Sequence, residues 1–205
     1  MTAMLLTLTL AAPVPRPSAP SPSGFRDGMR ATYCFSVVNI GNGQINPVCQ
    51  WTHLTVRDRV EPNGDELFRI ATTTPDSDAQ QTEYVRVTAD TVYEADATGR
   101  AKPKRQSRPR GTRAATAVPG DTRSFTDHED RTVRVTFDGS EVISTPAGQF
   151  ECVRERRDTL GPDGSVVEKS VSWMSRAHNV NVRHEVRKDR LEVEVTELTE
   201  FNPGR

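Results

Sequence analysis

Apolar residues, aromatics and histidines are scarce in this 205-residue chain, and each shortage excludes something. Hydrophobic residues make up 34% and aromatics 6%, against 27% charged. That supply suits one-sided sheets over a thin core rather than a thick layered α/β core. The longest apolar run, Met4 to Ala12, is about nine residues, half the roughly twenty that a spanning helix needs. The formal net charge is −1, which excludes chain-wide attraction to nucleic acid, so any charge-driven function must be local. No Cys-x-x-Cys occurs, and His53, His128, His178 and His184 stand too far apart for a metal-ligand spacing. "DHED", Asp127 to Asp130, reads as a polar turn before a strand rather than a metal group.

Catalytic motifs are missing in the same way. There is no P-loop and no G-x-S-x-G elbow. "HEVRK" at His184 begins like a zinc-protease helix, but it lacks the second histidine and alternates like a strand. "GNGQIN" has two of the three glycines of a dinucleotide loop and no helix after it. The expectation is a protein without cofactor or metal and without enzymatic activity. A Ser, His and Asp brought together only by folding is left open.

What is present is strand and turn. Runs of Val, Ile, Thr and aromatics at period two are bounded by Gly, Pro, Asn and Asp. "YCFSVVNI" and "QINPVCQWTHLTV" flank "GNG", a hairpin signal. "EPNGD" precedes "ELFRIATTT", and "RTVRVTF" puts Val133, Val135 and Phe137 on one face. With Lys188-Asp189 as a two-residue loop, the last hairpin pairs Val186 with Leu191, His184 with Val193 and Val182 with Val195. No amphipathic helix of three turns and no fixed repeat is found.

Cys34 and Cys49 flank the "GNG" turn. A Gly41-Asn42 loop sets them opposite and permits a disulfide; an Asn42-Gly43 loop offsets them by two residues. Cys152 reads as a buried free thiol. The segment 1–12 reads as a signal peptide and 13–24 as an extended Pro/Ser-rich linker, leaving one β domain over 25–205. Within it, a basic mobile loop at about 97–120 carries Lys102, Lys104, Arg105, Arg108, Arg110 and Arg113.

"ISTPAGQFECVR", Ile143 to Arg154, carries the one family signal. Pro146 presets φ for a turn and Gly148 supplies a permissive φ, launching a strand with Phe150 and Cys152 on one face. The order resembles that of the TapB-like proteins, a mostly exported family of unknown function. "AVPGDTRSF" resembles that family's Pro-x-x-Gly-x-x-Trp, with Phe125 for the aromatic, and Trp173 matches its aromatic strand. Two departures stand out: the family's Pro-Gly corner is replaced by "SRAHNV", and Met174 stands where an aromatic is usual. The resemblance implies one large curved antiparallel sheet, a half-barrel similar to lipoprotein-carrier folds, in a secreted or periplasmic protein. It brings no catalytic residues.

The expected function is therefore a non-enzymatic binding or interaction module of the cell envelope. Its partner is an apolar small molecule or an envelope component, on a concave face lined by Phe150, Trp173, Val182, His184 and Val193. Two other readings remain: a structural envelope component using the basic loop on anionic surfaces, and a hydrolase with a Ser or Asp beside His178 or His184. A cytoplasmic location is the alternative to export.

Overall fold

The structure is a computed structural model. It describes residues 24–75, 77–88, 92–101, 118–126, 131–187 and 191–205. Eleven strands follow in order: β1 Met29–Asn39, β2 Ile45–Val60, β3 Glu66–Thr74, β4 Ser77–Val87, β5 Val92–Ala95, β6 Thr122–Thr126, β7 Thr132–Thr145, β8 Gly148–Leu160, β9 Val166–Ser175, β10 Val180–Arg187 and β11 Glu192–Asn202. All pair antiparallel in one open sheet, ordered β5-β4-β3-β2-β1-β11-β10-β9-β8-β7-β6. The fold is all-β, as the strand-and-turn pattern requires. Its first and last strands pair at the centre of the sheet, and β5 and β6 form the two edges. Among the described residues no helix is long and apolar enough to cross a membrane.

The turn chemistry read from the sequence is realised. Thr145 pairs with Gly148, so Pro146 and Ala147 form a two-residue loop, and Gly148 takes φ 130°. Asn179, in the "SRAHNV" corner between β9 and β10, has φ 50°, the left-handed region that Asn tolerates. Gly24 packs against that corner: a Cβ there would lie 2.8 Å from the Asn179 nitrogen. Beside it Phe25 is buried and stacks on Phe68 with ring centroids 5.6 Å apart. The segment entering β1 thus closes one end of the core formed by Met29, Ala31, Tyr33, Ile70, Val85, Val182 and Leu198.

Two register expectations are corrected. Beside the "GNG" turn Val38 pairs with Ile45, the register that would set Cys34 opposite Cys49. A bulge then intervenes between Phe35 and Ser36, so that Cys34 pairs with Gln50 and Cys49 with Phe35. The two cysteines point to opposite faces and are free. Pro47, which cannot donate to a ladder, sits at that bulge, where proline is tolerated.

In the last hairpin His184 pairs with Thr196, Val186 with Glu194 and Arg187 with Val193. This differs from the expected register by an odd number of residues, which turns Val193 and Val195 to the opposite face. The cause is the neighbour: β1 pairs Tyr33 with Leu198, and this register buries Leu198 on the core side. Lys188 and Asp189 lie outside the described residues.

Candidate functional site

The concave face holds a cavity of about 420 Å³. One wall comes from β1 and β2, where alternate residues Met29, Ala31 and Tyr33 pair with Thr55, His53 and Trp51. The other wall comes from β8, β9, β10 and β11, through Arg157, Met174, Val180, Asn181 and Thr196. Residues of β2 and β8 border the same space although four strands separate them in the sheet, which measures how far the sheet curls.

The first wall is a hydrogen-bonded aromatic cluster. Tyr33 stacks on Trp51 at 5.7 Å and meets His53 edge-on at 5.4 Å. The Trp51 indole N–H donates to His53 Nε2 at 2.7 Å, which makes that nitrogen an acceptor. Nδ1 then carries the proton and donates to the Thr72 hydroxyl at 3.2 Å. The rings are fixed by each other and present an apolar surface with few free polar atoms.

The second wall is ionic at its base. Glu155 is buried and pairs with Arg157 at 2.9 Å and with Arg123 at 3.7 Å. Arg123 also lies over the Phe137 ring at 5.1 Å. Glu155, Ser172, His184 and Thr196 form one cross-strand row on this face. His184 Nδ1 is 2.7 Å from the Ser172 hydroxyl. Burial, and then the Arg157 charge, push its pKa down to about 4, so it is neutral at physiological pH. Where a bulge breaks the β9–β10 ladder, the Asn181 amide donates to the Trp173 carbonyl at 3.2 Å and the Arg183 carbonyl at 2.7 Å.

The residues expected to line the face separate into groups. Val182 and His184 stand on the cavity face without bordering the cavity itself. Trp173 stands on the opposite face, in the row Arg154–Trp173–Arg183–Glu197. There both guanidiniums lie over its ring and its N–H donates to Glu141 at 2.7 Å. Val193 is on that opposite face too, paired with Arg187 and Val38. Phe150 is buried at the end of β8 against Phe201, 5.6 Å away, and His178. The residues that do form the aromatic wall, Tyr33, Trp51 and His53, were missed. Their signal was "QWTH", an aromatic and a histidine two apart and so on one strand face, with Tyr33 across the hairpin.

Among the described residues, Ser172 and His184 form the one hydrogen-bonded Ser–His pair at the histidines the hydrolase reading named. The geometry is not that of a triad: Glu155 is the cross-strand neighbour of the serine, not of the histidine. Ser172 is 2% exposed, and neither residue borders the cavity. His178 packs between the Phe150 and Phe201 rings, and burial, with Arg26 second, lowers its pKa. Among the described residues no three His, Cys, Asp or Glu side chains converge on a metal position. Lys102, Lys104, Arg105, Arg108, Arg110, Arg113 and Asp127 to Asp130 lie outside the described residues, as does the 1–12 segment.

No family model and no curated protein matches the chain. Among solved structures, it is similar to a Bacteroides fragilis protein described as exported and as having a YmcC-like fold. The TM-score is 0.52 and the identity 14%, over 86% of this chain and 96% of that one. It also matches a Parabacteroides distasonis protein described as a lipoprotein, with TM-score 0.46, 14% identity and coverage of 87% and 98%. A third match is a β-barrel-like protein of domain of unknown function DUF1849 from Brucella abortus, with TM-score 0.44, 7% identity and coverage of 86% and 98%. At this identity the first likeness is one of fold alone, over most of both chains.

Proposed function

We propose that the protein is an exported, non-enzymatic binding module that holds an apolar small molecule in its concave cavity. The carrying observation is the cavity itself, about 420 Å³ bordered by Met29, Ala31, Tyr33, Trp51, Ile70 and Met174 and not filled by the side chains of the described residues. Ligand sites are concave, mostly apolar and roughly 300–1,000 Å³ in volume, with a few placed polar groups. The "TPAG-x-F-x-C" turn and strand supports setting the chain beside the TapB-like exported proteins. The apolar run at Met4 to Ala12 supports export to the periplasm or beyond. Burial of Ser172 weighs against the hydrolase reading.

Pyrene, a neutral apolar fluorophore, provides the test. In a Trp173→Phe variant the remaining indole is Trp51, on the cavity wall, and energy transfer from it to pyrene reports occupancy. Binding is expected to saturate, and Ala31→Phe, which places a ring in the cavity, is expected to abolish it. Absence of binding, or binding indifferent to Ala31→Phe in a folded variant, refutes the carrier reading.

A further inference from the structure

We infer that the cavity selects a single-chain amphiphile with an anionic oxygen head group, the head seated on the Arg157 guanidinium and the tail against the Tyr33–Trp51 wall. This rests on the reading of the cavity as a ligand site and adds the class of ligand.

Among the described residues bordering the cavity, Arg157 carries the only formal charge. Among the described residues its hydrogen-bond partner is Glu155, reached through Nη2 at 2.9 Å. That carboxylate is shared with Arg123, 3.7 Å away, so Arg157 does not hold it alone. A guanidinium has five N–H donors in a fixed fork that matches a carboxylate or phosphate. The Arg157 Nε is shielded from water and has no acceptor among the described residues. The side chain as a whole is 34% exposed and borders the cavity, so the terminal nitrogens rather than the enclosed Nε are the donors left for an incoming group.

Among the described residues that border the cavity there is no second cation and no acid. His184, nearest in the same set of rows, is held neutral by burial and by the Arg157 charge itself. Thr196 contributes a hydroxyl on the same wall. Across the cavity Met29, Ala31, Tyr33, Trp51 and Ile70 offer apolar surface without charge. A neutral head group would leave the guanidinium donors unmatched, and a cationic one would meet repulsion in a partly desolvated site.

Displacement of pyrene by laurate, dodecanol and dodecyltrimethylammonium, all kept below their micelle concentrations, tests this on the wild-type chain. Laurate is expected to compete at about tenfold lower concentration than dodecanol, the ratio for one charge-assisted contact, with the cation weakest. Arg157→Gln is expected to bring laurate within about threefold of dodecanol. Circular dichroism checks that this variant folds, and the wild-type comparison decides the matter without it. Laurate no better than dodecanol, or a preference that survives Arg157→Gln, overturns the head-group assignment and leaves the cavity reading intact. Failure of all three to displace pyrene overturns both.

Discussion

Acidification from pH 8 to pH 5 should cost the native state about 2 kcal/mol through His184 alone. The ring is held among Ser172, Thr196 and the Arg157 charge. Burial first and Arg157 second lower its pKa from 6.5 to about 4, while a backbone hydrogen bond at Val171 acts the other way. The native ring therefore stays neutral at pH 5, whereas the unfolded ring, titrating near 6.5, is almost fully protonated. The unfolded state binds more protons throughout this window, so the stability due to His184 is complete above pH 6.5 and is lost as pH falls toward 4. A shift of this size, integrated to pH 5, gives about 2 kcal/mol. Lowered carboxylates such as Asp65, Asp96 and Asp163 act lower, because their ordinary value is 3.8. His178 is lowered as well and adds to the trend, so a variant is needed to isolate His184. Urea unfolding of the wild type and His184→Asn at pH 8 and pH 5 is the assay. The wild type should lose about 2 kcal/mol more than the variant over that interval. Equal losses in the two proteins would refute the account of a buried, neutral imidazole.

Two further outcomes follow from the same geometry. Alkylation of the native protein at pH 8 should label exposed Cys49 first and leave Cys152 untouched, since burial, with Glu141 and Glu151 behind it, pushes that thiol up to about 11. After unfolding without reductant all three cysteines should react; a mass showing a Cys34–Cys49 bridge would refute the bulged register. Gly24→Ala should cost about 2 kcal/mol, or about 4–8 °C in Tm, because a Cβ at φ 75° would press on the Asn179 backbone at 2.8 Å. A loss below about 0.5 kcal/mol would show that the segment before β1 does not lock that corner.

What the sequence displays of this fold is its local chemistry. Pro146 and Gly148 specify their turn, and Asn179 is the one residue of its corner suited to positive φ. Val133, Val135 and Phe137 share a buried face, as period two requires. Pairings across strands are less visible, because register depends on the partner as well as the turn. The residues between Arg187 and Val193 do not by themselves reveal that Tyr33 claims Leu198 and sets the whole of β11. Trp173 shows the same limit for burial. It is 9% exposed, but Arg154, Arg183 and Glu141 cover it, on the face away from the cavity. Alternation shows that two faces exist; it does not show which is covered by other strands and which by long charged side chains.

The Cys34–Cys49 register that periodicity misses and the cavity that it misses have a common physical origin. Ladder shifts occur between Phe35 and Ser36, Arg57 and Arg59, Phe137 and Gly139, and Asn181 and Arg183. Each breaks a strict two-residue alternation, so each hides a pairing from sequence inspection. A bulge also bends its strand and increases the local twist. With eleven strands in one open sheet, such bends bring β2 and β8 to opposite sides of one space. A sheet of the same composition with perfect alternation would offer a shallow one-sided surface, on which Arg157 and Trp51 would have four strands between them and share no ligand. The irregularities that obscure the register are thus the ones that curl the sheet, and the candidate site exists because of them.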